Sequence, residues 1–187
     1  MIDNKLVETI IDKYYPEHNR LREILITHST LVMERAVRIC DRHPEWQLDR
    51  TFLIEAAMLH DIGIVRCNAP GIHCMGEAPY LLHGRIGAEM LRAEGLPRHA
   101  RVCERHTGAG LTRDDILRQQ LPLPPQDFLP ETLEEQLICY ADKFYSKTHP
   151  EREKTYEHAQ RSLAKFGNEG LERFQRWHDR FEGDVIR

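Results

Sequence analysis

No stretch of the sequence approaches the roughly 18–20 consecutive apolar residues that a membrane-spanning helix needs, so a transmembrane role is not expected. The opening MIDNKLVETI has neither the basic nor the apolar segment of an export signal, and the expected location is cytoplasmic. Cysteine is present without a pattern. Cys40, Cys67, Cys74, Cys103 and Cys139 are an odd number at spacings that fit no familiar zinc motif, so free thiols are expected rather than a disulfide framework. Charge of one sign is also not in excess: 26 basic and 30 acidic residues interleave to a formal net charge of -4. That leaves no concentrated basic face for a nucleic-acid duplex, and an anionic substrate would have to be attracted locally. Internal repeats, low-complexity tracts and convincing runs of strand are missing too.

What is there is helical pattern and histidine. A hydrophobic fraction of 41% with 30% charge, over 187 residues, suits one globular domain with a real core. Leu21, Leu25, His28, Val32, Ala36 and Ile39 recur at three- and four-residue intervals, the stripe of an amphipathic helix. Asp49 can cap a further helix through His60, and HGRIGAEMLRAEG makes another that Gly95 stops. PRHARVCERHTGAG starts on proline and ends in glycines. TRDD and TLEE read as capping boxes, the second opening a long helix across TLEEQLICYADKFYSKT. REKTYEHAQRSLAKF and GLERFQRWHDRF add two helical segments after Pro150. The expected fold class is all-α, interrupted by two stretches rich in turn formers, residues 65–80 and the LPLPPQDFLP of 121–130.

The apolar faces carry unexpected passengers. His28 lies with Leu25 and Val32, His60 follows Leu53 and Ala56, and His83 leads Ile86 and Met90. His106 follows Val102 and Cys103, and Asp142 joins Ile138 and Tyr145. One inward histidine is ordinarily a hydrogen-bonded core residue, but an inward carboxylate needs a cation or several donors. Four such histidines together with Asp61 and Asp142 would need many separate buried hydrogen-bond arrangements, whereas one metal cluster satisfies them all. In AAMLHDIGI the adjacent His60 and Asp61 sit where the helix unwinds before Gly63, so both can turn toward one point. Imidazole with carboxylate suits Mn, Fe, Co, Ni or Zn better than the all-oxygen shells of Mg or Ca. Cys67, His73 and Cys74 have no further ligands in register and are not taken as a zinc site.

The ordered set His28, His60–Asp61 and Asp142, with the form HDIG, resembles the HD-domain superfamily of metal-dependent phosphohydrolases. HGRIGAEML, ERHTGAG and ADKFYSK bring it nearest to the small stand-alone HDIG-type proteins. The resemblance covers residues 20–148 of a single domain spanning 1–187, with a C-terminal helical extension over 151–187. It implies a helical bundle with the metal site at its centre. Binuclear members add two histidines between the HD pair and the final Asp, as His83 and His106 do here. The ligand set expected is then His28, His60, Asp61 and Asp142 on one divalent transition metal, with His83, His106 and a bridging Asp61 on the other. The implied activity is hydrolysis of a small phosphomonoester or phosphodiester, such as a nucleotide, by a metal-bridging hydroxide. Lys143 is the first candidate to touch the phosphate, with Lys147, Arg66 and Arg85 as further substrate-binding candidates. The lysine and GYP segment of cyclic-dinucleotide HD-GYP enzymes are missing, so that substrate is not expected. The same ligand order also resembles HD-domain di-iron oxygenases, and a non-catalytic metal- or nucleotide-binding module is the third possibility. Residues 65–80 and LPLPP are expected to border the pocket.

Overall fold

Short polar side chains start most of the helices. In the computed structural model, which describes residues 4–165 and 167–183, Asn4 accepts the Val7 N–H at the start of α1 (Lys5–Tyr14). Asn19 accepts from Arg22 for α2 (Arg20–Arg42), and Asp49 from Phe52 for α3 (Arg50–Leu59). α4 (His83–Ala93) follows a single 3-10 turn, and α5 (Pro97–Arg105) has its proline at the first helical position, where a missing N–H costs nothing. Complete capping boxes open α6 (Arg113–Arg118) with Thr112 and Asp115, and α7 (Leu133–Asp142) with Thr132 and Glu135. Thr155 caps α8 (Tyr156–Ala164), and α9 (Asn168–Glu182) completes the set among the described residues. Each polar cap contributes about 1 kcal/mol.

The middle of the bundle is α3, the most apolar of these helices. Leu53, Ala57 and Leu59 are fully buried, and α1, α2, α5 and α7 all pack against it. Phe174, Trp177 and Phe181 of α9 are buried and close the far side of α7, where the Tyr140 ring lies 5.2 Å from that of Phe174. All five cysteines are buried and unpaired. Among the described residues no helix is long and apolar enough to cross a membrane.

α4 lies directly on the 3-10 turn Ile62–Arg66 that follows the His60–Asp61 pair. The contact is backbone to backbone: a Cβ on Gly63 would collide with the His83 carbonyl and the Gly87 amide. Gly84 makes the same kind of approach to the Cys103 carbonyl of α5. Only glycine permits these separations.

The fold is mostly α, with three departures from the sequence reading. Residues 65–80 contain a small sheet of order β2-β1-β3: β1 (Cys67–Ala69) pairs antiparallel with β2 (Cys74–Met75) and parallel with β3 (Ala78–Pro79). The register sets Ala69 opposite Cys74 and Cys67 opposite Ala78. Strands of two or three residues are too short to show a period of two. Second, α7 stops at Asp142 instead of running on to Thr148. The amides of Lys143, Phe144 and Tyr145 each bond three residues back, tightening the chain out of the α-helix. Third, the segment expected from Arg152 becomes helical only at Tyr156, where Thr155 supplies the cap. Its end at residue 166 and the tail 184–187 lie outside the described residues.

Candidate metal centre

Three of the central histidines are oriented by the same local device. His60 ends α3 and donates Nδ1–H to the Ala57 carbonyl at 2.6 Å. His83 donates to Tyr80 at 2.7 Å, and His106, at the end of α5, to Cys103 at 2.7 Å. A carbonyl only accepts, so the ring proton sits on Nδ1 in each, and the Nε2 lone pair is left facing inward. This is the tautomer and orientation that metal-binding imidazoles take from such a partner.

Those lone pairs converge on Asp61. Its Oδ2 is 3.2 Å from His28 Nε2 and 3.0 Å from His60 Nε2, while its Oδ1 is 3.4 Å from both His83 Nε2 and His106 Nε2. Asp142 Oδ1 closes the first group at 2.9 Å from His28 Nε2 and 3.6 Å from His60 Nε2. Two sets of donor atoms result, each mutually within 4.8 Å: His28, His60, Asp61 and Asp142, and Asp61, His83 and His106. All six residues are buried, Asp142 being the one at the edge.

The donor chemistry fits cations. His60 Nε2 and both Asp61 oxygens are buried without a hydrogen bond. Lys147 Nζ is 2.5 Å from Asp61 Oδ2, an ion pair that lacks hydrogen-bond alignment. His83 Nε2 and His106 Nε2 stand 3.0 Å apart with both protons committed to carbonyls elsewhere. Two lone pairs that close repel unless a cation lies between them, and nitrogens each about 2.1 Å from one ion stand about 3.0–3.4 Å apart for coordination angles of about 90–109°.

The charge balance agrees. Burial works to raise the Asp61 carboxyl, but Lys147 and His60 outweigh it and hold the group well below the usual range. Asp142 is likewise held down against burial by Lys143, by its hydrogen bond with His28 and by the nearby His60 ring. Burial opposes a proton on His60, yet Asp61 and Asp142 overcome it and push the imidazole up to about 9. Without a cation the carboxylates thus draw a proton to His60. Burial brings His83 down to about 3 and lowers His106, so both are neutral, ready-made ligands.

A cavity of about 490 Å³ opens at Asp142, floored by Lys143 and Lys147 and bounded by Ile72 and Tyr80. Lys143 Nζ is fixed by Asp142 Oδ2 at 2.7 Å and the His106 carbonyl at 3.0 Å. The structure therefore brings together eight of the ten residues singled out above. It does not bring in the two arginines. Arg66 is exposed, Arg85 is exposed and paired with Glu89 at 3.3 Å, and neither lines the cavity. Of the two expected borders only residues 65–80 contribute. LPLPP does not line the cavity, because the chain around it pairs elsewhere: Phe128 bridges to Leu111, and Leu129 and Pro130 cover Gly110.

Two participants were not legible. Tyr80 stacks on His83, with ring centroids 4.7 Å apart and planes at 20°, while its carbonyl fixes the same ring. Tyr15 anchors the turn behind the HD pair, its hydroxyl donating to the Ile62 carbonyl at 2.8 Å and accepting the Val65 N–H at 3.1 Å. Neither tyrosine stands in a motif or at a metal-ligand spacing.

The sequence pattern of the HD domain matches residues 25–146, which contain all six buried donors. The chain belongs to the HD domain family. Among curated proteins, an uncharacterized protein of Methanocaldococcus jannaschii is 35% identical over 127 residues, covering 66% of this chain and 68% of its own length. Proteins named tRNA (cytidine(56)-2'-O)-methyltransferase match at 35% over 125 residues in Picrophilus torridus and 34% over 125 residues in Thermoplasma volcanium. Each match covers 66% of this chain and 32% of the relative, so the chain spans about a third of those proteins. Among solved structures, the HD domain of the L. monocytogenes phosphodiesterase PgpH shares the fold, with a TM-score of 0.54 at 14% identity over 93% of this chain and 95% of that one.

Proposed function

We propose that this HD domain is a metal-dependent phosphohydrolase that cleaves a small phosphate ester at a two-metal centre. The observation that carries the reading is the division of Asp61, one oxygen toward His28 and His60 and the other toward His83 and His106, beside a lysine-floored cavity. The four-donor group would hold one divalent ion and the three-donor group the second, with Asp61 common to both. Bound there, Mn, Fe, Co, Ni or Zn supplies Lewis acidity toward a phosphate oxygen and lowers the pKa of water toward neutrality.

The remaining work falls to the chain itself. Lys143 uses two of its three N–H donors on Asp142 and the His106 carbonyl, which leaves one for an equatorial phosphate oxygen. Burial would lower both Lys143 and Lys147, but Asp142 and Asp61 respectively keep them charged. Donors held in place in this way stabilise charge that develops on phosphorus without reorganising during the reaction. The Tyr80 ring walls the His83 side against water. The tRNA named for two relatives puts ribonucleotide esters first among the substrates to try.

The test is hydrolysis of p-nitrophenyl phosphate and bis(p-nitrophenyl) phosphate, read as p-nitrophenol released, and of ribonucleoside monophosphates, read as phosphate released, with added Mn and after chelation. Turnover that chelator abolishes and Mn restores is expected. Product formation only with iron and dioxygen, without hydrolysis of any of these esters, would instead favour an oxygenase. Bound metal with no turnover would favour a binding module.

A further inference from the structure

Residues beyond the HD-family match complete the cavity. After α7 the chain loops away and returns, and two contacts fix its point of return. The Lys154 N–H donates to the Phe144 carbonyl at 2.8 Å. Its neighbour Glu153 pairs with Arg35, whose guanidinium lies 3.5 Å over the Phe144 ring. Lys154 is thereby held half-buried on the cavity wall facing Lys143 and Lys147. Thr155 then starts α8, and Ala159, Ser162 and Leu163, one face of that helix, form the rest of the wall.

The three cavity lysines differ in what neutralises them. Lys143 has Asp142 and Lys147 has Asp61, whereas Lys154 has no carboxylate within ion-pair distance among the described residues. Burial, with Lys143 and Lys147 nearby, outweighs the more distant attraction of Asp142, makes its charge costly and lowers the pKa. A half-buried, unpaired ammonium beside two others is a site for an anion. The reacting phosphate is already provided for at Asp142 and Lys143, on the floor of the cavity. The additional cation stands on a different element, on the stretch of lining that the return segment and α8 contribute.

We propose that Lys154, with the α8 wall, recognises a second anionic group on the leaving portion of the substrate, so that the preferred substrate is a small phosphate ester carrying at least two anionic groups. This rests on the phosphohydrolase reading of the same site. A nucleoside 3′,5′-bisphosphate and the matching 5′-monophosphate probe it, because they differ only in the second phosphate.

The experiment measures kcat/KM for both probes with Mn-loaded protein, and calorimetric binding of both to metal-free protein, for wild type, Lys154→Ala and Lys154→Arg. Wild type is expected to favour the bisphosphate, and Lys154→Ala to shrink that preference at least tenfold in both measurements, mainly through KM. Lys154→Arg is expected to restore most of it. Equal losses on the two probes, or no change in the preference, would overturn the assignment. If neither probe is hydrolysed but the binding preference exists and depends on residue 154, the anion site stands and the hydrolytic reading falls.

Discussion

Asp61→Ala is expected to abolish phosphate release, by at least about 1000-fold or on the order of 4 kcal/mol of barrier, and to lower the metal content of both donor groups. Among the described residues no other side chain contributes to both. The variant has a second expected effect that is independent of activity. In the metal-free protein the fully buried Asp61 faces the Lys147 ammonium, which is largely withdrawn from solvent, and removing one partner of such a pair costs up to about 3–5 kcal/mol. Calorimetric unfolding of metal-free Asp61→Ala should show this loss. Adding Lys147→Met, which removes the stranded charge, should recover most of the stability and none of the activity. A variant that keeps its metal and turns over within tenfold of wild type would remove Asp61 from the centre.

Gly63→Ala is the second large effect. The added methyl would occupy space held by the His83 carbonyl and the Gly87 amide, and neither is the movable end of a flexible side chain. The turn and α4 must separate, at a cost of about 3 kcal/mol. For a chain of this size that corresponds to a fall in Tm of roughly 6–12 °C. Because His83 begins α4, the shift also draws its ring away from His106 and Asp61. The metal shared by those three should be lost before the one held by His28, His60 and Asp142. Thermal melting and metal analysis of the same preparation check both parts. An unchanged Tm would contradict the close packing that the HDIG glycine provides.

The polar centre was legible in sequence because its histidines and Asp142 share apolar stripes at helical spacing, and Asp61 is marked by standing next to His60 where that helix ends. His28 among Leu25 and Val32 and Asp142 after Ile138 carry that signal on their own helices. The termini were less so. Thr132 announces the start of α7, but no proline or glycine announces its end, and the bonds that tighten the chain after Asp142 form along with the packing there. Lys147 lies beyond the end of α7 and meets Asp61 of a different element, so its contact belongs to tertiary structure. Arg66 and Arg85 flank the correct loop and point to solvent, which proximity in sequence does not reveal. Lys154 lies beyond the family resemblance, on a segment whose return depends on Phe144 and on Arg35, the latter far from it in the chain.

Elemental analysis of protein purified without added metal, read as ions per chain, bears most directly on the centre. Two transition-metal ions per chain are expected, falling to one when His83 and His106 are both replaced by alanine. A single ion in the unaltered protein, or a count that the double replacement leaves the same, would contradict a centre in which Asp61 joins two ions.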